Sequence, residues 1–447
     1  MRTDAFVTTA TKLERISALS RQDPEFKFGN LMHLYNRESL GECFNWLDGK
    51  KAVGIDGVTK EEYGQDLDRN LENLLERMKR MAYRPGPVRQ VMIPKEGKPG
   101  AMRPLGISQT EDKIVQSMTK RILESIYEPL FLDCSYGFRP GRGCHDAVSA
   151  LKDHLFRNEV ETVIDVDLAN FFGTIDLKIL EGMLREKIAD KTFIRYIVRM
   201  FKAGVLADGE LTVSEEGVPQ GSICSPVLAN VMAHHVLDEW IELMVKPSCE
   251  GRVAIFRYAD DAVIGCRFKV DAERILNTLP KRLAKFGLAL NGDKTKLVPF
   301  SKAALRQGTR QSTFDFLGFT FFLDASQKGY VIPKVKTSGK RLRSKLKRVN
   351  DWARKVRNAY RLHDIWVTFC RKIQGHIAYY GVTFNSGAVR QFVKRAVRIL
   401  FKWLNRRSQR RSFSWDGFNQ YLQQFPLPKV RIYHSLIIVS PQGSPKV

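Results

Sequence analysis

Two clusters of acidic residues lie inside apolar, strand-like segments of the chain. In the segment 163–168 (VIDVDL), acidic and apolar residues alternate as they do along a β-strand, so Asp165 and Asp167 lie on one face. In the segment 254–264 (AIFRYADDAVI), apolar arms lie on both sides of Asp260 and Asp261. The second pattern predicts a tight hairpin with two adjacent carboxylates at its tip.

Carboxylates in apolar strands indicate a bound cation, because a buried, unpaired carboxylate costs several kcal/mol or takes up a proton. Mg²⁺ prefers oxygen ligands and is typically held by one or two carboxylates together with substrate phosphates. Three carboxylates from two strands can hold two such ions about 4 Å apart, as in phosphoryl transfer. For either strand alone, the alternative is a structural ion pair or a strand-end acid, which explains the first cluster equally well when that cluster is taken in isolation. Both clusters in one basic chain favour nucleotidyl transfer.

The net charge of the chain predicts a polyanionic partner. Lys and Arg number 73 against 48 Asp and Glu, giving a net charge of +25 over 447 residues. Nucleic acid is the favoured partner, ahead of an acidic membrane surface. Residues 331–411 alone contain 23 Lys/Arg and two acids, Asp351 and Asp364. A catalytic body therefore precedes a basic module, with a boundary near residue 330.

The basic segment is patterned as amphipathic helices and not as a disordered tail. Its apolar residues recur at three- and four-residue steps, at Leu342, Leu346, Val349, Trp352 and Val356. Further aromatic residues are interleaved with the charges; we expect most of them to be core, and some could stack on bases.

Three elements are predicted ahead of the acidic clusters. A helix is expected over 60–90, ended by Pro85-Gly86-Pro87, followed by a strand over 88–93 and a helix from about 110 to 128. Lys95 and Arg103 flank the Gly/Pro loop between the last two and could aim two cations at one phosphate group. Alone, this pattern is a weak indication, because two cations near a turn are solvated surface in most proteins.

The sequence predicts a cytoplasmic protein with reduced thiols. No stretch approaches the roughly 18 apolar residues needed to span a bilayer, and the first twenty residues lack the apolar core of a secretory signal. The seven cysteines contain no Cys-x-x-Cys pair, which indicates neither a disulfide framework nor a zinc site.

The segment 256–261 (FRYADD) resembles the Tyr-x-Asp-Asp motif of reverse transcriptases, and further blocks follow the order found in bacterial group II intron-encoded reverse transcriptase/maturases. The resemblance covers roughly residues 50–405. These blocks are GIDG with Asp56 (54–57), RPLGI (103–107), YGFRPGR (136–142), GVPQGS (217–222), LN with KTK (290–296), FLGF (316–319) and a thumb-like segment (366–381).

The resemblance implies an α+β fold, a right-hand polymerase. Fingers and palm, built from an antiparallel sheet plus helices, would be followed by an all-α thumb or maturase X domain. The expected organisation is an N-terminal extension with the first block over 1–90, fingers and palm over 91–330, thumb over 331–411 and a segment of unknown role over 412–447.

The family's functional residues carry over to specific positions of this chain. The implied ligands of two Mg²⁺ ions are Asp167, Asp260 and Asp261. Asp167 is chosen over Asp165 because the family's acid lies five residues before the aromatic that closes on the sugar, here Phe172; we expect Asp165 to make a structural contact. The implied nucleotide-binding residues are Lys95 and Arg103 on the triphosphate, Phe172 as the steric gate against a 2′-hydroxyl, Gln220 in the nucleotide pocket and Lys294 near the triphosphate.

The implied function is that of an RNA-directed DNA polymerase, a nucleotidyltransferase that copies intron RNA into cDNA for retrohoming and binds intron RNA as a splicing maturase. Its expected partners are structured intron RNA, an RNA template with a DNA primer, deoxynucleoside triphosphates and target DNA, in a bacterial ribonucleoprotein without a membrane. The endonuclease of many relatives, with its paired cysteines, is not expected, because the last cysteine is Cys370. Alternatives are a splicing factor without polymerase activity or a reverse transcriptase domesticated for defence or repair; Phe172 disfavours an RNA-dependent RNA polymerase.

Overall fold

The computed structural model describes residues 8–94, 100–207, 210–212, 217, 221–407 and 412–436. The helices in these ranges are α1 Thr9–Gln22, α2 Arg37–Trp46, α3 Lys60–Gly64, α4 Leu67–Lys79, α5 Thr110–Tyr127, α6 Cys144–Arg157, α7 Leu177–Lys187, α8 Lys191–Lys202, α9 Ser225–Ala233, α10 Lys269–Ala284, α11 Lys302–Arg306, α12 Gly339–Val356, α13 Leu362–Tyr380, α14 Ser386–Leu404 and α15 Trp415–Gln424. The strands are β1 Val88–Pro94, β2 Met102–Ile107, β3 Thr162–Asp167, β4 Val205–Ala207, β5 Glu210–Thr212, β6 Val253–Tyr258, β7 Asp261–Cys266, β8 Lys296–Pro299, β9 Phe314–Phe316, β10 Phe319–Ala325 and β11 Val331–Thr337.

Three sheets organise this mixed α+β fold. The central sheet has the strand order β6-β7-β3-β8 and is antiparallel throughout. A second sheet, β2-β1-β4-β5, contains the predicted strand at 88–93, and a third contains β11-β10-β9. The α+β class expected from the sequence is confirmed.

The two faces of the central sheet pack into two different hydrophobic cores. Ile164 and Ile264 belong to a core formed with α5, α7, α9 and α10, whereas Val163 and Val263 belong to a core formed with α6 and the C-terminal helices. The alternation follows from the two-residue period of a strand, which points neighbouring side chains to opposite faces. Strands covered on both faces explain the long apolar runs around the acidic residues.

The structure corrects the prediction of one helix over 60–90. Two helices occupy this segment, α3 and α4, and α4 ends at Lys79, well before the Pro85-Gly86-Pro87 breaker. The chain adopts a left-handed conformation at Met81, with a φ of 58°. A left-handed residue just past the last turn is a common helix ending, so backbone geometry stops α4 before the prolines can. The predicted helix near 110–128 is confirmed as α5.

The C-terminal helices carry the amphipathic pattern predicted for the basic segment. Val349 and Val356 of α12 are buried, and Leu342, Leu346 and Trp352 pack against the same core. The helices begin at Gly339, because β11 first pairs with β10 along its whole length. The segment after residue 330 is therefore helical beyond one strand. No helix in the described part of the chain has the length and hydropathy that a membrane crossing requires.

Candidate active site

The register of the central sheet brings the two acidic clusters together. β3 and β7 are antiparallel neighbours in which Asp167 lies opposite Asp261, and β6 and β7 form the hairpin that sets Tyr258 opposite Asp261. Asp260 lies in the turn of that hairpin. Side chains paired across antiparallel strands are close neighbours, so three carboxylates meet at one end of the sheet.

Burial and neighbouring negative charge raise the pKa values of Asp260 and Asp261. Desolvation raises the pKa of Asp260, and the charge of Asp167 acts in the same direction. For Asp261, desolvation of the carboxyl group and the charges of Asp260 and Asp167 raise the pKa to about 7, although the residue as a whole is exposed. Like charges in one cleft favour the neutral form of at least one member. Such a cleft attracts cations.

Asp165 lies one pleat before Asp167, opposite Val263 and Lys296 on the neighbouring strands. Desolvation raises its pKa to about 6, and the charge of Lys296 opposes that shift. The expectation that Asp165 makes a structural contact stays a prediction.

Asp167 is held by the segment that follows α10. The Asn291 amide donates to the Asp167 carbonyl oxygen (2.8 Å), and the Asp167 amide donates to Thr295 Oγ1 (3.3 Å). Lys294 donates to Asp167 Oδ2 in an ion pair. The other carboxylate oxygen, Oδ1, is buried and has no hydrogen-bond partner among the described residues. A buried orphan acceptor beside two further acids is the arrangement expected of a cation ligand.

These residues fit a divalent metal ion that shares its coordination with substrate. Among the residues described, no three Asp, Glu, His or Cys side chains are placed to hold a metal ion on their own. Mg²⁺ sites for phosphate transfer usually take one or two carboxylates and complete the shell with water and substrate phosphates. The orphan oxygen of Asp167 and the raised pKa of Asp261 agree with such a partial site.

The turn that carries the acids is itself anchored by a buried arginine, Arg257. Its guanidinium donates to both carboxylate oxygens of Asp238 (2.7 and 2.6 Å) and to the carbonyl oxygen of Ala259 (3.0 Å). It also donates to Ser135 Oγ (2.7 Å) and Asn230 Oδ1 (3.0 Å). Arg257 and Asp238 are both 0% exposed. Ala259 has a φ of 58°, so this network fixes a strained residue directly before Asp260.

Sequence reasoning assigned no role to Arg257 or Asp238. An arginine between Phe256 and Tyr258, inside an apolar strand, was a usable signal, because a buried guanidinium requires a counterion. Nothing in the sequence marked Asp238 as that counterion, since it lies in a π-helical turn, His234–Asp238, nineteen residues before the arginine.

The structure describes three of the five predicted nucleotide-binding residues, Lys294, Phe172 and Arg103. Lys294 is at the carboxylates. Phe172 follows β3 in the turn Phe171–Gly173, where Phe171 is buried and Phe172 partly exposed. Arg103 is exposed on β2, opposite Ile93, and no contact described here joins it to the acids. Lys95 and Gln220 lie outside the described residues.

The block that contains Gln220 nevertheless meets the block that contains Arg103. Gly221 has a φ of 116°, and a Cβ at this position would lie 2.3 Å from the carbonyl oxygen of Gly106 on β2. The backbones therefore touch, and only glycine fits there. Two motifs more than a hundred residues apart are in this way joined at the edge of the second sheet.

Comparisons with known proteins agree with this site. The sequence profile of the family described as "Reverse transcriptase (RNA-dependent DNA polymerase)" matches residues 93–321, just over half of the chain. The group II intron-encoded protein LtrA of Lactococcus lactis subsp. cremoris is 33% identical over 234 residues, which is 52% of this chain and 38% of that protein. Protein YkfC of Escherichia coli (strain K12) is 31% identical over 320 residues, 63% of this chain and 83% of that protein.

A protein of the cob intron of Schizosaccharomyces pombe, named as uncharacterized, is 33% identical over 237 residues, 52% of this chain and 28% of that protein. The chain thus spans well under half the length of the Lactococcus relative and most of the length of the Escherichia relative. The family match contains Asp167, Asp260 and Asp261 and the strands that bring them together. The chain therefore belongs to the reverse transcriptase family and is homologous to group II intron-encoded proteins.

Proposed function

We propose that this chain is an RNA-directed DNA polymerase that adds deoxynucleotides to a primer 3′-hydroxyl on an RNA template. The observation that carries the proposal is the register that sets Asp167 opposite Asp261, with Asp260 in the adjoining turn. Three converging carboxylates on a strongly basic chain suit a reaction in which every substrate is a polyanion.

In this proposal Asp167, Asp260 and Asp261 hold two Mg²⁺ ions. When bound, Mg²⁺ promotes deprotonation of the primer hydroxyl and neutralises charge on the leaving pyrophosphate. The chain's own contribution is to keep the three carboxylates in place. Arg257 fixes the turn before Asp260, and the segment around Thr295 fixes the end of β3. Preorganisation of this kind removes reorganisation from the reaction step.

Three cations bind the triphosphate of the incoming nucleotide in this proposal. Arg103 and Lys95 neutralise the β- and γ-phosphates, and Gln220 lines the nucleotide pocket. Lys294, which is paired with Asp167 in the structure, exchanges that partner for the triphosphate when nucleotide binds. The exposed position of Arg103 supports its availability for phosphate contact.

Phe172 selects deoxynucleotides by leaving no room for a 2′-hydroxyl. Its neighbour Phe171 is 2% exposed and packs into the core, while the Phe172 ring is partly exposed beyond the end of β3. The ring centroids lie 5.7 Å apart in an edge-on arrangement, so the buried ring braces the exposed one.

The helical region grips RNA in this proposal, both as template duplex and as structured intron RNA during splicing. Residues 331–411 contain 23 Lys/Arg and two acids, and α12 and α14 of this segment bury their apolar faces. Cations left on the outer faces suit the phosphates of an A-form duplex. Reverse transcription at a target DNA, as in retrohoming, would use both activities.

A splicing factor without polymerase activity remains the second candidate function, because the same basic helices support RNA binding. The carboxylate cluster argues against it. Asp260 and Asp261 are held where their negative charge is unfavourable, as their raised pKa values indicate. A site with no cation to bind gains nothing from that arrangement. A polymerase domesticated for defence or repair would share the chemistry proposed here.

Primer extension on an RNA template with deoxynucleotides and Mg²⁺ tests the proposal. The native chain should extend the primer, and Asp260→Asn should reduce extension below detection while leaving the melting temperature unchanged or higher. The matched control is Asp324→Asn, which removes a carboxylate paired with Lys334 in the third sheet. Equal extension by the native chain and Asp260→Asn, or no extension by either, would refute the polymerase and leave RNA binding as the function.

A further inference from the structure

The loop of residues 136–142 (YGFRPGR) has no role in the function proposed so far. It borders the turn of residues 258–261 between β6 and β7, the catalytic turn, which carries Asp260. It begins as an addition to the edge strand β6. The Arg257 amide donates to the Cys134 carbonyl oxygen (2.8 Å), and the Tyr136 amide donates to the Arg257 carbonyl oxygen (2.9 Å). The loop is therefore a continuation of the sheet that carries the acids.

Gly137 brings the loop into direct contact with the catalytic turn. A Cβ at this position would lie 2.4 Å from the amide nitrogen of Ala259 and 2.9 Å from the carbonyl carbon of Tyr258. The Gly137 carbonyl oxygen accepts a hydrogen bond from Asn230 Nδ2 (2.7 Å), and Asn230 also contacts Arg257. The loop cannot shift without moving the turn before Asp260.

Arg139 anchors the other side of the loop. This arginine is 7% exposed, and its guanidinium donates to Glu128 Oε1 from two nitrogens (2.9 and 2.8 Å). It also donates to the carbonyl oxygens of Leu132 (2.7 Å) and Ser135 (3.0 Å). The backbone of the residue between Gly137 and Arg139 is therefore held from both sides.

That residue is Phe138, and its conformation is unfavourable on two counts. Its φ of 58° is left-handed, which costs an aromatic residue roughly 1–2 kcal/mol. Its ring is 48% exposed, with the Tyr258 ring 6.3 Å away between centroids. A strained backbone that holds an apolar ring in solvent beside reactive groups indicates a ligand contact.

The strand order indicates which ligand the ring meets. β7 separates β6, which pairs with the start of the loop, from β3 and β8. Phe172 follows β3, and Lys294 precedes β8. The incoming nucleotide belongs on the β3 side, so the ring faces the other substrate that must reach Asp260 and Asp261. An uncharged ring suits sugars and base edges and not phosphates.

We propose that Phe138 is a binding residue for the primer strand, packing against the last nucleotides before the 3′-hydroxyl. This inference rests on the proposed polymerase function. Covering the exposed half of the ring should strengthen primer binding by about fivefold, since it recovers about half of the transfer free energy of a phenylalanine.

The first test is Phe138→Gly, which removes the ring and relieves the left-handed strain. The dissociation constant for a labelled RNA-template/DNA-primer duplex, measured by fluorescence anisotropy, should rise about fivefold, and the melting temperature should stay or increase. Phe138→Tyr should retain native affinity. Met81→Gly is the matched control, because Met81 is also left-handed (φ 58°) and lies after α4, outside the regions assigned to binding; the affinity of this variant should be unchanged. A lower melting temperature for Phe138→Gly would identify the ring as a packing residue and overturn the inference.

The second test is direct. A photo-crosslinking phenylalanine derivative placed at 138 should link to the last nucleotides of the primer and not to the template. Crosslinks to the template, or none, would overturn the inference. If the native chain extends primers and Phe138→Gly binds them with native affinity, this inference alone fails. If the native chain neither binds nor extends the duplex, the proposed function fails as well.

Discussion

At the scale of single residues, the turn that carries Asp260 is held by Arg257, a charged residue that takes no part in the proposed chemistry. The Arg257 guanidinium donates hydrogen bonds to four residues, and the bond to the Ala259 carbonyl oxygen reaches the residue next to Asp260. Asp238 balances it at zero exposure. Breaking a buried pair leaves an uncompensated charge, whereas replacing both members with apolar residues often restores stability.

Asp238→Leu should therefore lower the free energy of unfolding by about 3–5 kcal/mol. The double variant Asp238→Leu/Arg257→Met should recover most of that loss in chemical denaturation. Primer extension should stay low in the double variant, because Ala259, Ser135 and Asn230 have lost their shared donor. Recovery of activity together with stability would contradict the positioning role of Arg257.

Lys294 forms an ion pair with Asp167, the carboxylate at which the proposal places a metal ion. Lys294→Met should tighten Mn²⁺ binding without nucleotide about two- to fivefold, since metal no longer competes with an ion pair whose lysine is 45% exposed. Electron paramagnetic resonance can follow the titration. Lys334→Met, which removes the partner of Asp324, is the control and should leave Mn²⁺ binding unchanged. Weaker Mn²⁺ binding in Lys294→Met would mean that the lysine supports the site without competing for it.

At the scale of elements, the register between β3 and β7 determines which carboxylates meet, and neither strand does so alone. The alternation in β3 and the apolar arms of the β6–β7 hairpin were readable in the sequence, and both strands are confirmed. That β3 pairs with β7 so that Asp167 faces Asp261 was not readable from the residues, because pairing across ninety-four positions depends on tertiary packing. The resemblance to a known family supplied that step.

Gly137 should be intolerant of a side chain because two elements meet there at backbone distance. Gly137→Ala should destabilise the fold by about 1–3 kcal/mol through overpacking and should reduce primer extension, as the turn before Asp260 moves. Gly182→Ala in α7 is the matched control, since a Cβ there meets nothing within 4 Å; it should stabilise the helix by up to about 1 kcal/mol. Thermal denaturation and extension assays distinguish the two. Native extension by Gly137→Ala would show that the contact is dispensable.

At the scale of the whole molecule, buried histidines make the stability of the fold depend on pH. His376 in α13 is 3% exposed and stacks on Phe392 with ring centroids 3.6 Å apart, and within the described part of the chain neither of its ring nitrogens has a hydrogen-bond partner. Burial, assisted by the charge of Lys345, lowers the pKa of His376 to about 3. The unfolded chain binds this proton more readily, so the stabilisation is complete above about pH 6.5 and is lost as the pH falls towards 3.

Acidification from pH 7 to pH 5 should therefore cost about 2 kcal/mol through His376 alone. His376→Phe keeps a flat ring on Phe392 and should remove that share of the acid sensitivity, as measured by denaturation at both pH values. Some sensitivity should remain, because burial also lowers the pKa of His154, to about 4. The same pH dependence in His376→Phe and the native chain would rule out this source.

The sequence predicted the C-terminal helices well because charge and period act locally. The spacing of Leu342, Leu346 and Val356 predicted the buried face of α12 from the sequence of that segment alone. It missed the end of α4, where Met81 turns left-handed, since no residue type there signals a stop. The pairing of Arg257 with Asp238 could not be predicted either, because no local residue pattern indicates it.

The division of the central sheet between two cores has a consequence for truncation of the chain. One face of β3 and β7 packs into a core that α6 shares with the helices that follow residue 339, so this core would be incomplete without them. The C-terminal helices are therefore not a detachable module, because a chain that lost them would keep the strands of the central sheet and lose part of the core behind them. Conversely, a chain that lost its carboxylates would still need that sheet, because the C-terminal helices pack on the same core.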